Sequence, residues 1–275
     1  MFEQKTSSGR ALSLLCVIFN LAFGVFIFIL LLSCLNGRSR LLEITTHFKL
    51  QYFLSALIFL LVYAARRAWR WCGVALLCLL VSGSSLIGWY AKPSATASGK
   101  QAQPLRLLLA NVLYDNEQYQ AVLDLVQREN PDLIFFQEFT GVWEQQTRQL
   151  RSAFPFGLVE SRNGAGGIAA LSRLPLDKVE VVDTGIYLGP TLQLELKVGE
   201  KLLTIVTAHP PPPNEKGFDG RNDQLHRLAD LLKTLPAPKV LIGDLNATVW
   251  SPYLKDFTAQ SGLSNARQGF GLIPT

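Results

Sequence analysis

The chain has 275 residues, with 26 Lys+Arg against 21 Asp+Glu for a formal net charge of +5, and its 49% apolar and 17% charged composition excludes a disordered chain, a collagen and a disulfide scaffold. The charge is uneven: residues 1–91 hold eight basic side chains (Lys5, Arg10, Arg38, Arg40, Lys49, Arg66, Arg67, Arg70) and two acidic ones (Glu3, Glu43), a net +6 that leaves −1 on the other 184 residues. The basic balance therefore gives no support to a nucleic-acid-binding surface in the larger part. Cys16, Cys34, Cys72 and Cys78 lie in or beside apolar runs, so the last 184 residues can form neither a disulfide nor a cysteine-based metal site.

Residues 11–35 are almost entirely apolar, and about 20 such residues suffice to cross the hydrocarbon core of a bilayer. The run is too long for the apolar stretch of a cleaved signal peptide. Residues 72–90 form a second span ending in Trp89 and Tyr90, which suit the headgroup region. Between them residues 50–65 read as a short third span whose flanking Lys49, Arg66 and Arg67 can snorkel outward. Residues 1–91 are thus expected to be an anchor of three transmembrane helices in an inner or plasma membrane. The dense cluster Arg66, Arg67 and Arg70 favours the cytoplasm for its own side, which places the domain after the third span outside. The small-residue stretch at 92–104 reads as a linker.

From residue 105 short apolar runs alternate with amphipathic stretches, the pattern of an α/β domain. Strands are expected at 105–111, 133–137, 167–172, 179–183, 191–197, 202–208 and 240–243. Helices are expected at 117–129 with Asn116 as N-cap, through 143–150, at about 223–235, and after Ser251 with Pro252 at the first position.

Polar residues with useful chemistry fall at the ends of several of these strands: Asn111, Gln137-Glu138, His209, and Asp244 with Asn246. Strand-end loops are where α/β folds gather their sites. Singly, each has a plainer reading: Asn111 as a turn residue, Glu138 as an exposed charge, His209 as a loop imidazole beside Pro210, Asp244 and Asn246 as turn caps. Together they form a coherent set. A carboxylate and an amide oxygen, with water, can hold a hard divalent cation such as Mg²⁺ or Mn²⁺. A second carboxylate can orient or deprotonate water, while an imidazole and an amide donate to phosphoryl oxygens.

The segments LRLLLANV at 105–112, PDLIFFQE at 131–138, GGIAALSR at 166–173, TIVTAHPPPP at 204–213, RNDQL at 221–225 and IGDLNAT at 242–248, in this order, resemble the endonuclease/exonuclease/phosphatase superfamily, whose fold is that of pancreatic deoxyribonuclease. WSPYLKDF at 250–257 and ARQGFGLIPT at 266–275 resemble its membrane-anchored bacterial branch. The resemblance implies two packed β-sheets flanked by helices, a four-layer α/β sandwich over 105–275. It implies a metal-dependent phosphoesterase, with Glu138 as main metal ligand and Asn111 beside the metal. Asp244 would orient the nucleophilic water, Asn246 would support it, and His209 would contact the phosphate. Arg173 and Arg221 are lesser candidates for substrate binding. Family members end with a strand and an Asp-His pair, whereas the histidines here are His47, His209 and His226 and the sequence stops at Thr275. The expectation is a chain truncated before its C-terminal strand. Two functions follow: a membrane-anchored hydrolase acting on a phosphodiester at the bilayer or, less supported by charge, on nucleic acid; or an inactive, membrane-tethered binding or scaffold protein of the same fold.

Overall fold

The computed structural model describes residues 3–35, 37–90, 104–185 and 189–271, so the expected linker lies outside the described residues apart from Pro104. Two compact units are present. The first holds four helices, α1 (Glu3–Cys34), α2 (Arg40–Thr46), α3 (Lys49–Ala65) and α4 (Trp69–Ile87). Two of them, over Ala11–Cys34 and Trp69–Ile87, are long and apolar enough to cross a membrane. The third expected span meets that test only jointly with α2, from which α3 is bent by 60°. The number of candidate spans is therefore two, or three if the bent pair forms one. The segment between the first two expected spans is not a plain connection, because it contains α2.

The helices of this unit meet through rings: Phe23 packs on Phe59 at 4.8 Å and on Tyr63 at 5.2 Å between centroids. Two polar contacts join the helices of this unit. Tyr63 donates to Asn20 Oδ1 at 2.9 Å, and Lys49 Nζ donates to the Ser33 carbonyl at 2.8 Å. Leu12, Leu15, Leu21, Phe28 and Leu31 stay exposed, an apolar outer surface that water disfavours and lipid does not.

The second unit contains two four-stranded mixed sheets. The first has the order β1-β2-β4-β3, built from β1 (Leu107–Asn111), β2 (Leu133–Gln137), β3 (Phe156–Glu160) and β4 (Ile168–Ser172). The second runs β5-β6-β7-β8, from β5 (Lys178–Val182), β6 (Thr191–Val198), β7 (Lys201–Thr207) and β8 (Lys239–Ile242). In each sheet one pair is parallel, β1 with β2 and β7 with β8. Helix α5 (Tyr119–Glu129) and α6 (Gly141–Gln146) cover the first sheet; α7 (Phe218–Thr234) and α8 (Pro252–Ser261) cover the second.

Strand alternation explains the packing. On β2, Leu133 and Phe135 join Ile168, Ala170, Leu192, Leu194, Leu196 and Ile205 in a core between the sheets. Ile134 and Phe136 point the other way, onto Val126, Trp143 and Phe154. Both faces of β2 are buried, which is why LIFFQ reads as an unbroken apolar run instead of an alternating one. On the second sheet Val206 and Ala208 face Leu225, Leu228, Ala229 and Leu232 of α7.

Two differences from the sequence reading have physical causes. Strand β3 was not expected, because its short apolar stretch follows Pro155 and carries Gly157 at φ +126°, where a Cβ would lie 2.0 Å from the Ala170 carbonyl oxygen. Helix α5 begins at Tyr119, and Asn116 does not cap it; its Oδ1 accepts from Gln118 N at 3.1 Å in a turn before the helix. Removing the Phe135 ring, fully buried between the sheets, opens a cavity. Phe135→Ala is expected to cost about 3–5 kcal/mol, read as lowered thermal stability of the detergent-solubilised chain.

Candidate active site

The inward-facing rows of four strands begin apolar and end polar. Leu107 and Leu109 on β1 lead to Asn111, and Leu133 and Phe135 on β2 lead to Gln137. Beyond the second sheet, Ile205 leads through Thr207 to His209, and Ile242 to Asp244. All four are the C-terminal ends of the two parallel pairs, so the seam between the sheets opens into one polar cluster.

Asn111 is its centre. Its Nδ2 donates to Glu138 Oε1 at 2.8 Å and lies 3.4 Å from Asp244 Oδ2, joining two carboxylates that are 106 residues apart in sequence. Its Oδ1 accepts from Leu113 N at 3.1 Å, so Asn111 is a turn residue and a site residue together. Glu138 Oε2 receives only a long contact from Tyr114 N, at 3.4 Å. His209, 4% exposed, donates from Nδ1 to the Asp244 carbonyl at 3.0 Å, and its Nε2 lies 3.5 Å from Glu138 Oε1. With Nδ1 committed as a donor, Nε2 carries a proton only in the imidazolium form. Asp244 Oδ1 accepts from Asn246 N at 3.0 Å, and Asn246 Nδ2 donates to the Pro210 carbonyl at 2.8 Å. Asn111, Glu138, His209, Asp244 and Asn246 are thereby brought into one hydrogen-bonded group.

The backbone is held in an unusual state here. Leu113 (φ +58°), Glu138 (φ +58°) and Asn246 (φ +49°) are three of the five non-glycine residues with positive φ among the described residues. For Leu and Glu this region is uncommon and costs of the order of 1–3 kcal/mol, a strain that concentrates at functional sites. At Glu138 it breaks the strand alternation that would otherwise turn the side chain to the face of Ile134 and Phe136. The loop is braced by Trp143, fully buried, whose indole N–H donates to the Leu113 carbonyl at 3.3 Å.

The two arginines are placed differently. Arg173 follows Ser172, which pairs with Leu133 at the start of β2, whereas Glu138 follows the end of that strand. The separation is roughly 15–20 Å at strand rise, and the Arg173 guanidinium stacks on Phe154 at 4.7 Å instead. Arg221 is fully buried, so it presents no surface to a substrate. Its Nη1 donates to the Asn246 carbonyl at 2.9 Å and its Nε to Asn222 Oδ1 at 2.9 Å, with Phe218 and Tyr253 each 5.5 Å from the guanidinium. It braces the Asp244–Asn246 turn from beneath. His226 is exposed on α7.

Among the described residues no group of three His, Cys, Asp or Glu converges as a preformed metal cage. The oxygens that converge are those of the two carboxylates, with the Asn111 Nδ2 between them as a hydrogen-bond donor; hard oxygens of this kind suit Mg²⁺ or Mn²⁺ better than a softer ion, because Mg²⁺ is usually held by one or two carboxylates and keeps several waters.

The sequence places Gln137 at a strand end but gives it no role of its own, and it does not single out Trp143. Gln137, fully buried, donates from Nε2 to the Ala208 carbonyl at 2.8 Å and accepts from Asp244 N at 2.9 Å. The signal was present: Gln137 occupies the inward parity of Leu133 and Phe135, where an uncharged polar side chain needs a partner. Trp143 gave no such signal, since any core tryptophan reads alike. Arg221→Met is expected to lower thermal stability by about 1.5–3 kcal/mol through loss of its charged hydrogen bonds, measurable by thermal unfolding in detergent.

No curated protein sequence matches the chain significantly. Solved structures with a similar fold include TDP2 from D. rerio complexed with single-strand DNA product (17% identity, covering 59% of this chain and 66% of that one, TM-score 0.48). Sphingomyelinase C from Streptomyces griseocarneus is similar at 19% identity over 60% of this chain and 72% of that one, TM-score 0.48. A beta toxin variant from Staphylococcus aureus with bound magnesium ions matches at 18% identity over 59% and 72%, TM-score 0.47. The chain spans 66–72% of the length of these structures. The model of the endonuclease/exonuclease/phosphatase family matches residues 108–275, well over half of the sequence, and the chain belongs to that family.

Proposed function

We propose that the protein is a divalent-metal-dependent phosphodiester hydrolase held at a membrane by its N-terminal helices. The observation that carries this reading is the contact of Asn111 with both Glu138 and Asp244, which brings two carboxylates to one spot, as a metal ligand and a water-orienting group would need to be. Glu138, with Asn111 beside it, would hold Mg²⁺ or Mn²⁺. When bound, that ion supplies charge neutralisation of a phosphoryl oxygen, an effect worth several kcal/mol.

The remaining chemistry belongs to the chain. Asp244, its Oδ1 fixed by the Asn246 amide, presents Oδ2 to orient a water and take its proton. His209 in its imidazolium form donates from Nε2 to a phosphoryl oxygen, while the Asp244 carbonyl holds the ring from the other nitrogen. Asn246, its Nδ2 bonded to Pro210, has a second amide hydrogen to donate.

The apolar helices Ala11–Cys34 and Trp69–Ile87 support the anchor. Tethering raises the effective concentration of a membrane-proximal phosphoester, and the net −1 beyond residue 91 favours such a substrate over nucleic acid. The Arg66, Arg67 and Arg70 cluster favours an extracytoplasmic catalytic unit if three spans form.

Hydrolysis of bis(4-nitrophenyl) phosphate by the full chain is expected to vanish in EDTA and return with Mg²⁺ or Mn²⁺. Glu138→Gln and Asp244→Asn should each lower it by about 10²–10⁴-fold. Undiminished hydrolysis in both variants would refute the assignment. The chain should also stay in the membrane pellet after alkaline carbonate extraction; release into the supernatant would remove the anchor.

A further inference from the structure

Gln137 adjoins Glu138 in the chain and bonds the backbone of Asp244, without being one of the groups assigned to the reaction. Its strand belongs to the first sheet, yet both of its side-chain bonds go to the second: Nε2 to the Ala208 carbonyl at 2.8 Å, next to His209, and Oε1 from the amide of Asp244 itself at 2.9 Å. The amide orientation is dictated by the partners, since a backbone N–H only donates and a carbonyl only accepts. The residue that follows in the chain is Glu138. One planar, fully buried group thus ties the strand end carrying Glu138 to those carrying His209 and Asp244.

The strand ends are also packed for this bond. A Cβ on Gly243 would lie 2.1 Å from the Ala208 carbonyl oxygen and 3.0 Å from Gln137 Nε2, so only glycine lets β7 and β8 close around the amide. Neither glutamate nor methionine, the side chains nearest to it in size, reproduces both bonds. Glutamate has no donor for the Ala208 carbonyl and would bring a charge into a site with no exposure, and methionine leaves the Asp244 amide and the Ala208 carbonyl without partners.

We propose that Gln137 is a positioning residue that sets the separation of the Glu138 and Asp244 carboxylates across the two sheets; this rests on the hydrolytic reading of those two residues. It acts through Asp244, so its effect on turnover requires Asp244.

The test is a double-mutant cycle on the full chain in detergent, with bis(4-nitrophenyl) phosphate and Mn²⁺ as probe. Gln137→Met is expected to lower kcat by about 10–100-fold, as a displacement of the order of 1 Å does, with KM changed less than about 2-fold. In the Asp244→Asn background the same substitution should lower the residual kcat by less than about 3-fold. Gly243→Ala, which disturbs the joint from the other side, should show the same dependence on Asp244, and it serves if Gln137→Met does not fold. Equal losses in both backgrounds would overturn the positioning role while leaving the catalytic assignment intact. Unchanged hydrolysis in Glu138→Gln and Asp244→Asn would instead remove the catalytic reading, and this inference with it.

Discussion

The second unit depends on the apolar seam between its two sheets. Leu133, Phe135, Ile168, Ala170, Leu192, Leu194, Leu196 and Ile205 exclude water from the space between the layers. Burial of such side chains is the dominant favourable contribution to folding. The seam also fixes the site, because strand alternation leaves no freedom in which residues continue the inward rows. Where the rows run past the apolar core, their next members are Asn111, Gln137, His209 and Asp244. A slip of one residue in either parallel pair would turn these groups to the helix-covered faces.

Much of this was legible from residue type and order alone. The strands that bury both faces were visible as continuous apolar runs, and six of the seven expected strands agree with the observed ones to within one residue at each end; the other, β1, starts at Leu107 instead of 105. The strand-end residues were legible because a carboxylate or imidazole at the close of an apolar run is costly unless it has a purpose or a partner. What could not be read was direction. Arg221 and Arg173 look alike in sequence, yet one is sealed beneath the Asp244–Asn246 turn and the other stands at the far end of β4. Only the pairing of Ser172 with Leu133 decides that, and pairing depends on contacts distant in the chain. The bent α2–α3 pair escaped for a related reason: composition predicts what tolerates lipid, but not where a helix breaks.

The electrostatics of the cluster are built on an amide between two acids. Glu138 and Asp244 face a common point, and the Asn111 N–H groups and the His209 ring relieve some of their repulsion. Neither supplies a full fixed positive charge as an arginine would. The Arg173 guanidinium stacks on Phe154 and that of Arg221 is sealed beneath the Asp244–Asn246 turn.

The left-handed backbone at Leu113, Glu138 and Asn246 carries a consequence for the fold as a whole. At Leu113 and Glu138 the turn is held against the residue's own preference by neighbours, so the unit gives up stability at the place where its reactive groups meet. A glycine at such a point would relax the chain and at the same time free the side-chain-bearing loop to wander. Thermal robustness and geometric fidelity therefore pull in opposite directions at Leu113 and Glu138, and the sequence has settled on fidelity.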